Sequence, residues 1–415
     1  MTDREILVHV DLEGTPTLAG RLHMRALRGR ESATFEYAGP WLAHPAAFAL
    51  DPVHLPLSRG AFHSASGEAL FTGLSDSSPD RWGRTLIARQ ARIERLGRTL
   101  LESDYLIRVH DLTRQGALRF QEREGGPFVA SGGPPIPPVV RLAELLMASD
   151  RVQADPSDGE ALRVLLAPGS SLGGARPKAS VIDEGDRLAI AKFPASADDW
   201  PVVVWEQVAL ELAARAGVRV PQSRLVDVGG RAVLVSARFD RAEGARIPFL
   251  SAMAMIGAND REAGHSYLEL ADALRRHGVH VSANLEELWR RIAFNVLVSN
   301  TDDHLRNHGF CRARGGWVLS PAYDLNPMPI DVKPRVHALA LDESAPEASI
   351  GTVLEVASYF GLDEARARTV LGEVVRAVTG WRDVGRRHGL KASDLDRMES
   401  AFEHDDLAEA QRLSD

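Results

Sequence analysis

The stretch EREGGPFVASGGPPIPP, residues 122–138, sets the first limit on the fold. It carries five prolines and two glycine pairs. Proline removes a backbone donor and fixes φ, so neither a helix nor a central strand can run through such a segment. The chain, 415 residues long, exceeds what one compact domain usually needs. We therefore expect an N-terminal domain over 1–121, a linker over 122–138, a sheet-containing region over 139–250 and a mostly helical lobe over 251–415. The fold class expected is α+β.

Ahead of the linker, EILVHVDL, GRLHMRAL and ATFEYA alternate apolar and polar residues between turn residues, which predicts a small twisted β unit. SSPDRWGRTLIARQARIERLG opens with a helix-start signal and closes at glycine, and RTLLESDYLIRVHDL reads as a second helix. Beyond the linker, VVRLAELLMASDRV and SDGEALRVLLAP are helical, the latter with Ser157 and Glu160 in capping-box spacing. The loop GSSLGGARPK (169–178) then leads into two strands, ASVIDE and RLAIAKF. The helix VVVWEQVALELAARAGV follows, then a hairpin around Gly229-Gly230 and helices over 266–277, 284–299 and much of 350–415.

Composition narrows the function classes. A net charge of -8 argues against broad, sequence-blind binding to nucleic acid, which needs many cations to neutralise phosphates. The arginine-rich run 81–98 reads as an exposed helix face, with a local basic patch as the alternative. One cysteine, Cys311, cannot form an internal disulfide, which fits a reducing cytoplasm. The N-terminus MTDREILVHV has no basic segment leading into an apolar one, so no secretory signal is expected. No apolar run approaches the ~20 residues of a membrane span.

The chemistry concentrates in SNTDDHLRNHGF, residues 299–310, directly behind the apolar run NLEELWRRIAFNVLVSN. Asp302 and Asn307 are five residues apart, and Asp324 follows in AYDLN, beyond the strand GWVLS, at whose end we place it. Phosphoryl transfer asks for this set: a carboxylate to take the proton of an attacking hydroxyl, and an amide oxygen with a second carboxylate to hold magnesium against nucleotide phosphates. The protein-kinase catalytic loop uses the same Asp-x4-Asn spacing. The ordinary alternative is that Asp and Asn here only cap turns. Asp303, His304 and His308 could ligate a metal, but no second His pair completes a zinc set, and a histidine bracing the loop is the simpler reading.

An upstream half is also present. Lys192 ends the strand LAIAK, as the phosphate-pairing lysine of a kinase does; its alternative is a lysine leaving for solvent. Glu206 on the next helix is a candidate partner, against a solvated helix face. Gly173 and Gly174 in GSSLGGARPK permit close backbone approach to phosphate, although the segment is not a P-loop. The order of the parts is what raises the signal: glycine-rich loop, strand lysine, helix glutamate, Asp-x4-Asn, aspartate.

SSLGGARPK, LAIAKFP, SNTDDHLRNHGF and LSPAYDLNP resemble the signature blocks of the HipA family of bacterial toxin kinases, and the front of the chain is similar to that family's N-terminal domain. The resemblance implies a two-lobed, kinase-like fold related to phosphoinositide kinases, and serine/threonine protein kinase activity with ATP and Mg2+. It implies a small helix-turn-helix antitoxin as partner, with operator DNA bound only through that antitoxin, and a protein substrate, typically an aminoacyl-tRNA synthetase. By position, Asp302 matches the catalytic aspartate, Asn307 and Asp324 the metal ligands, and Lys192 the ATP-contacting lysine. Ser171 matches the serine that members phosphorylate on themselves, with Ser170 its neighbour. Asp303 departs from the best-known pattern, which has glycine; an extra carboxylate there is expected to add charge beside the metal and weaken or shift nucleotide binding. The competing readings are a small-molecule kinase, a nucleotide-binding regulatory partner without turnover, and a metal-dependent hydrolase.

Overall fold

A computed structural model describes residues 2–132, 136–166, 174–262, 264–342 and 349–414. It is a mixed α/β structure that divides into two compact units. Unit 1 comprises residues 1–196, 228–231 and 235–259; unit 2 comprises 197–227, 232–234 and 260–415.

Unit 1 opens with three long antiparallel strands, β1 (Thr2–Leu12), β2 (Thr15–Leu27) and β3 (Arg30–Tyr37). With β4 (Ala61–His63) and β5 (Leu118–Gln121) they form a sheet of order β4-β3-β2-β1-β5. The alternation seen in the sequence becomes its two faces: Leu22, Met24, Ala33, Phe35 and Tyr37 are buried, while His23 and Arg25 face solvent. Tyr37 Oη donates to Leu55 O (2.6 Å) and accepts from Leu50 N (2.9 Å), so one hydroxyl fixes the loop crossing its end of the sheet.

The helix α1 (Arg81–Ile93) is capped by Asp80, whose Oδ1 accepts from Gly83 N at 2.6 Å. After residues 122–138, which lie inside unit 1, helices Leu142–Ala154 and Gly159–Leu166 appear where the sequence pattern puts them. The cap of the second is Asp158 rather than Ser157: Asp158 Oδ1 takes Ala161 N (3.0 Å), while Ser157 Oγ donates to Asp155 (2.7 Å). Strands β6 (Lys178–Asp183) and β7 (Arg187–Lys192) then pair antiparallel from Lys178↔Lys192 to Asp183↔Arg187.

Unit 2 is built on helices. In α2 (Val202–Arg215) every residue from Val202 to Leu210 is buried. The strands β8 (Ser223–Val228) and β9 (Arg231–Ala237), whose residues are divided between the two units, meet at Gly229-Gly230, whose positive φ values (+61° and +82°) suit glycine. Helix α3 (Tyr267–His277) begins with a capping box in which Ser266 N donates to Glu269 Oε2 at 2.8 Å. Helix α4 (Val281–Leu297) is buried almost all round, from Leu285 and Leu288 to Trp289, Phe294 and Leu297, and so forms the axis of the unit. Trp289 Nε1 donates to Val353 O (2.8 Å), and Trp381 stacks on Phe402 with centroids 4.6 Å apart. The hairpin β10 (Gly309–Ala313) and β11 (Gly316–Leu319) follows the polar block. No helix among the described residues is long and apolar enough to cross a membrane.

Candidate active site

Helix α4 carries the chain through the core to Leu297, and the polar block begins where it ends. Ser299, at φ +51°, turns the chain out of the helix; a non-glycine residue in this region is uncommon and needs surrounding bonds to hold it. Arg335 supplies them: its Nε donates to Ser299 Oγ (3.1 Å), its Nη2 to Val296 O (3.1 Å) and its Nη1 to Asp406 (2.6 Å).

The two adjacent aspartates then part company. Asp302 points outward, its side chain 63% exposed, whereas Asp303 is 2% exposed. Asp303 Oδ2 receives the Tyr267 hydroxyl from α3 and Asn295 Nδ2 from α4 (2.6 Å), and His308 Nε2 lies 2.8 Å from its Oδ1. Burial alone would push this carboxyl up, but the His308 ring beside it and the bonds from His308 and Tyr267 outweigh burial and hold its pKa below the usual value. Burial and the Asp303 charge together raise the Tyr267 hydroxyl well above its usual value. The charge that Asp303 brings to the loop is thus turned inward and met by donors. His308 is accordingly a brace of the loop.

The network runs on. Asn295 Oδ1 accepts from Asn300 Nδ2 (3.1 Å), and Asn300 Oδ1 accepts from Asn326 N (3.1 Å), two residues past Asp324. Tyr323 Oη, one residue before Asp324, donates to Arg306 O (2.9 Å), one residue before Asn307. These bonds bring the Asp302–Asn307 loop and the Asp324 segment together, as their spacing suggested. Asp324 lies in an irregular stretch five residues past β11, not at the strand end, and its backbone is left-handed (φ +60°), a conformation asparagine and aspartate tolerate best among side chains with a Cβ.

Asn307 Nδ2 donates to Asp302 O at 2.8 Å. This closes the loop across its five-residue span and makes Oδ1 the amide atom suited to a cation. Asn307 Oδ1 and the Asp324 carboxylate, the two expected metal ligands, are both hard oxygen donors of the kind magnesium takes, an ion that needs few protein ligands and completes its shell with phosphate and water oxygens. Among the described residues, no three His, Cys, Asp or Glu side chains gather as a metal cluster.

Of the upstream residues, Lys192 ends β7 as expected. Glu206 is 4% exposed, so the solvated-face reading of it is corrected: α2 is buried on that side. Gly174 has φ +113°, a backbone conformation that residues with a Cβ rarely adopt, which favours glycine there. Gly173, Ser170 and Ser171 lie outside the described residues. Sequence reasoning missed Lys178. It is 4% exposed, its Nζ sits 3.0 Å from Asp80 Oδ2, and its carbonyl accepts from Trp82 Nε1 (3.1 Å). Trp82 N donates to Gly174 O (3.3 Å), so the end of the glycine-rich segment is docked on the N-terminus of α1. The clue lay in the register, which sets Lys178 directly opposite Lys192; like charges so placed need a counter-ion.

Family models match this architecture in two places: a HipA-like C-terminal domain over residues 170–381, just over half of the chain, and a HipA N-terminal domain over residues 9–102. The chain belongs to the HipA family. Among curated relatives, this HipA-family chain is 27% identical over 209 residues to Toxin YjjJ of Escherichia coli K12, covering 46% of the chain and 44% of that protein. It is 26% identical over 225 residues to a Haemophilus influenzae protein described as a candidate kinase, covering 47% of the chain and 65% of that protein. The alignments thus span only about half to two thirds of these relatives. Among solved structures, HipA from the Shewanella oneidensis MR-1 complex of HipA, HipB and operator DNA matches with a TM-score of 0.70 at 20% identity, over 98% of this chain and 97% of that one. That likeness shows a HipA fold.

One further group of the site titrates. His337 is buried near Asp303 and Arg335, and burial drives its pKa down to about 4. The unfolded chain therefore binds more protons than the folded one between about pH 4 and pH 6.5, and stability rises with pH across that window. Between pH 7 and pH 5 this histidine should cost about 2 kcal/mol of folding stability. Urea titrations of His337→Leu beside the wild type should show a shallower loss by about that amount; parallel pH profiles would contradict the assignment.

Proposed function

We propose that this HipA-family chain is the toxin of a toxin–antitoxin pair and acts as an ATP-dependent serine/threonine protein kinase with a two-lobed, kinase-like layout. The observation that carries the reading is the division of labour in the polar block. Asp303 is spent on the core, while Asp302 faces outward on a loop closed by Asn307 and tied to the Asp324 segment.

In this reading Asp302 takes the proton of a serine or threonine hydroxyl as the new O–P bond forms to the γ-phosphorus and the bond to the β-phosphate oxygen breaks, releasing ADP. Asn307 Oδ1 and Asp324 would hold magnesium, which when bound would supply positive charge against the phosphate oxygens. Lys192 meets the α- and β-phosphates, Gly173 and Gly174 bring backbone close to them, and Ser171, or Ser170 beside it, is the self-phosphorylation site. An acidic chain is poorly suited to grip DNA alone, and the Shewanella relative was solved with HipB and operator DNA. A DNA-binding antitoxin encoded alongside is therefore the proposed partner, and a cytoplasmic protein, such as an aminoacyl-tRNA synthetase, the proposed substrate.

Asn307→Ala and Asp324→Ala should each weaken magnesium-dependent ATP binding by about tenfold or more, ~1.4 kcal/mol, because a lost ligand leaves phosphate charge uncompensated. Calorimetry with and without magnesium measures this. Affinities equal to wild type in both variants would remove the metal-site assignment.

A further inference from the structure

The segment Met328–Ala338 is bound to the backbone of the Asp302 loop at both of its ends. Met328 N donates to Ser299 O (3.2 Å), Ala338 N donates to Thr301 O (3.2 Å), and Arg335 makes its three bonds to Val296, Ser299 and Asp406 between them. Two turns on Pro329 O, from Val332 N (3.0 Å) and Lys333 N (3.2 Å), set the tip of the segment. From that tip Lys333 reaches back. Its Nζ lies 3.2 Å from Asp302 Oδ1 and 3.4 Å from Thr301 O.

This pair is exposed on both sides, 39% for Lys333 and 63% for Asp302. Exposed pairs contribute little to stability. What the contact does supply is geometry. A segment anchored at both ends places an ammonium on Oδ1 of the outward-facing carboxylate, so the other oxygen, Oδ2, is the one left to take a proton. We propose that Lys333 is a positioning residue for phosphoryl transfer: it holds Oδ1 of Asp302 so that Oδ2 meets the acceptor hydroxyl. The inference rests on the kinase reading of Asp302. Orientation of a catalytic group contributes to the rate of the chemical step without changing how tightly the nucleotide binds.

The test follows transfer of label from γ-labelled ATP to the proteins of a bacterial lysate. Wild type, Lys333→Met, Lys333→Arg and Asp302→Asn are compared, together with the double variant Asp302→Asn/Lys333→Met. Lys333→Met should lower the rate at saturating ATP by about 10- to 100-fold, with ATP half-saturation and melting temperature unchanged, since the side chain is exposed. Lys333→Arg should recover part of the loss by keeping a cation in place. In the Asp302→Asn background, Lys333→Met should cost nothing more, because it acts through the lost carboxylate. A wild-type rate in Lys333→Met, equal losses in Lys333→Met and Lys333→Arg, or a loss matched by a fall in melting temperature would overturn the proposal while leaving the kinase reading intact. Absence of transfer by the wild type would instead remove that reading, and this inference with it.

Discussion

Asp302→Asn should bind ATP as the wild type does, melt at the same temperature and transfer phosphate about 10²- to 10⁴-fold more slowly, the range that a positioned general base contributes. The side chain is exposed, so its loss costs the fold little. The loop that carries it is closed through the backbone oxygen of residue 302, which the substitution keeps: Asn307 Nδ2 would still find that carbonyl. What disappears is the carboxylate that takes the hydroxyl proton, and an amide cannot take it. In cells, growth arrest on expression should vanish with it. Paired calorimetry and transfer assays separate the effects. A variant that labels substrate at the wild-type rate, or one that loses ATP binding in proportion to transfer, would show that Asp302 is not the base.

Asp303→Ala, one position along, should behave in the opposite way. It removes a 2% exposed carboxylate that accepts from Tyr267 and Asn295 and lies beside the His308 ring, leaving three buried polar groups from two helices and the loop itself without their charged partner. Breaking a buried charged contact by deleting one partner typically costs about 3–5 kcal/mol. That is the loss expected in chemical denaturation near pH 7. The pH dependence follows from the lowered pKa of Asp303. The contribution is fully present above the ordinary carboxylate range and is lost as pH falls through the depressed folded value, so the gap between the variant and the wild type should close in acid. A loss under about 1 kcal/mol would place Asp303 among ordinary surface carboxylates, and a gap constant down to acid pH would contradict its charge role.

The contrast between these neighbours marks how far the sequence could be read. Period-2 alternation in GRLHMRAL and ATFEYA reports burial directly, because one face of a sheet is apolar and the other is not, and β2 and β3 fell where that pattern put them. Asp302, Asn307 and Asp324 could be singled out by spacing, because the constraint joining them is short-range: a five-residue loop closed by an amide, and a second segment tied through Tyr323. Asp303 could not be sorted from Asp302 by any local rule. Its partners Tyr267 and Asn295 sit on helices 36 and 8 residues away, and only their packing decides which carboxylate goes inward. Lys178 was overlooked for the same reason, since its counter-ion Asp80 is 98 residues upstream. Glu206 was misjudged because a helix buried all round hides the usual meaning of a polar position. The cap at Asp158 instead of Ser157 is a closer contest: two good capping residues stand side by side, and Asp155 engages the serine first.

The central claim is that Asp302 drives transfer of the ATP γ-phosphate to a protein hydroxyl. The direct measurement is incubation of the purified chain with γ-labelled ATP, magnesium and a bacterial lysate, wild type beside Asp302→Asn, with the label then divided between protein and small-molecule fractions and its sites mapped. The account predicts magnesium-dependent label on serine or threonine of a protein, absent with Asp302→Asn. Label that accumulates only in small molecules, or that reaches protein equally with both forms, would contradict it.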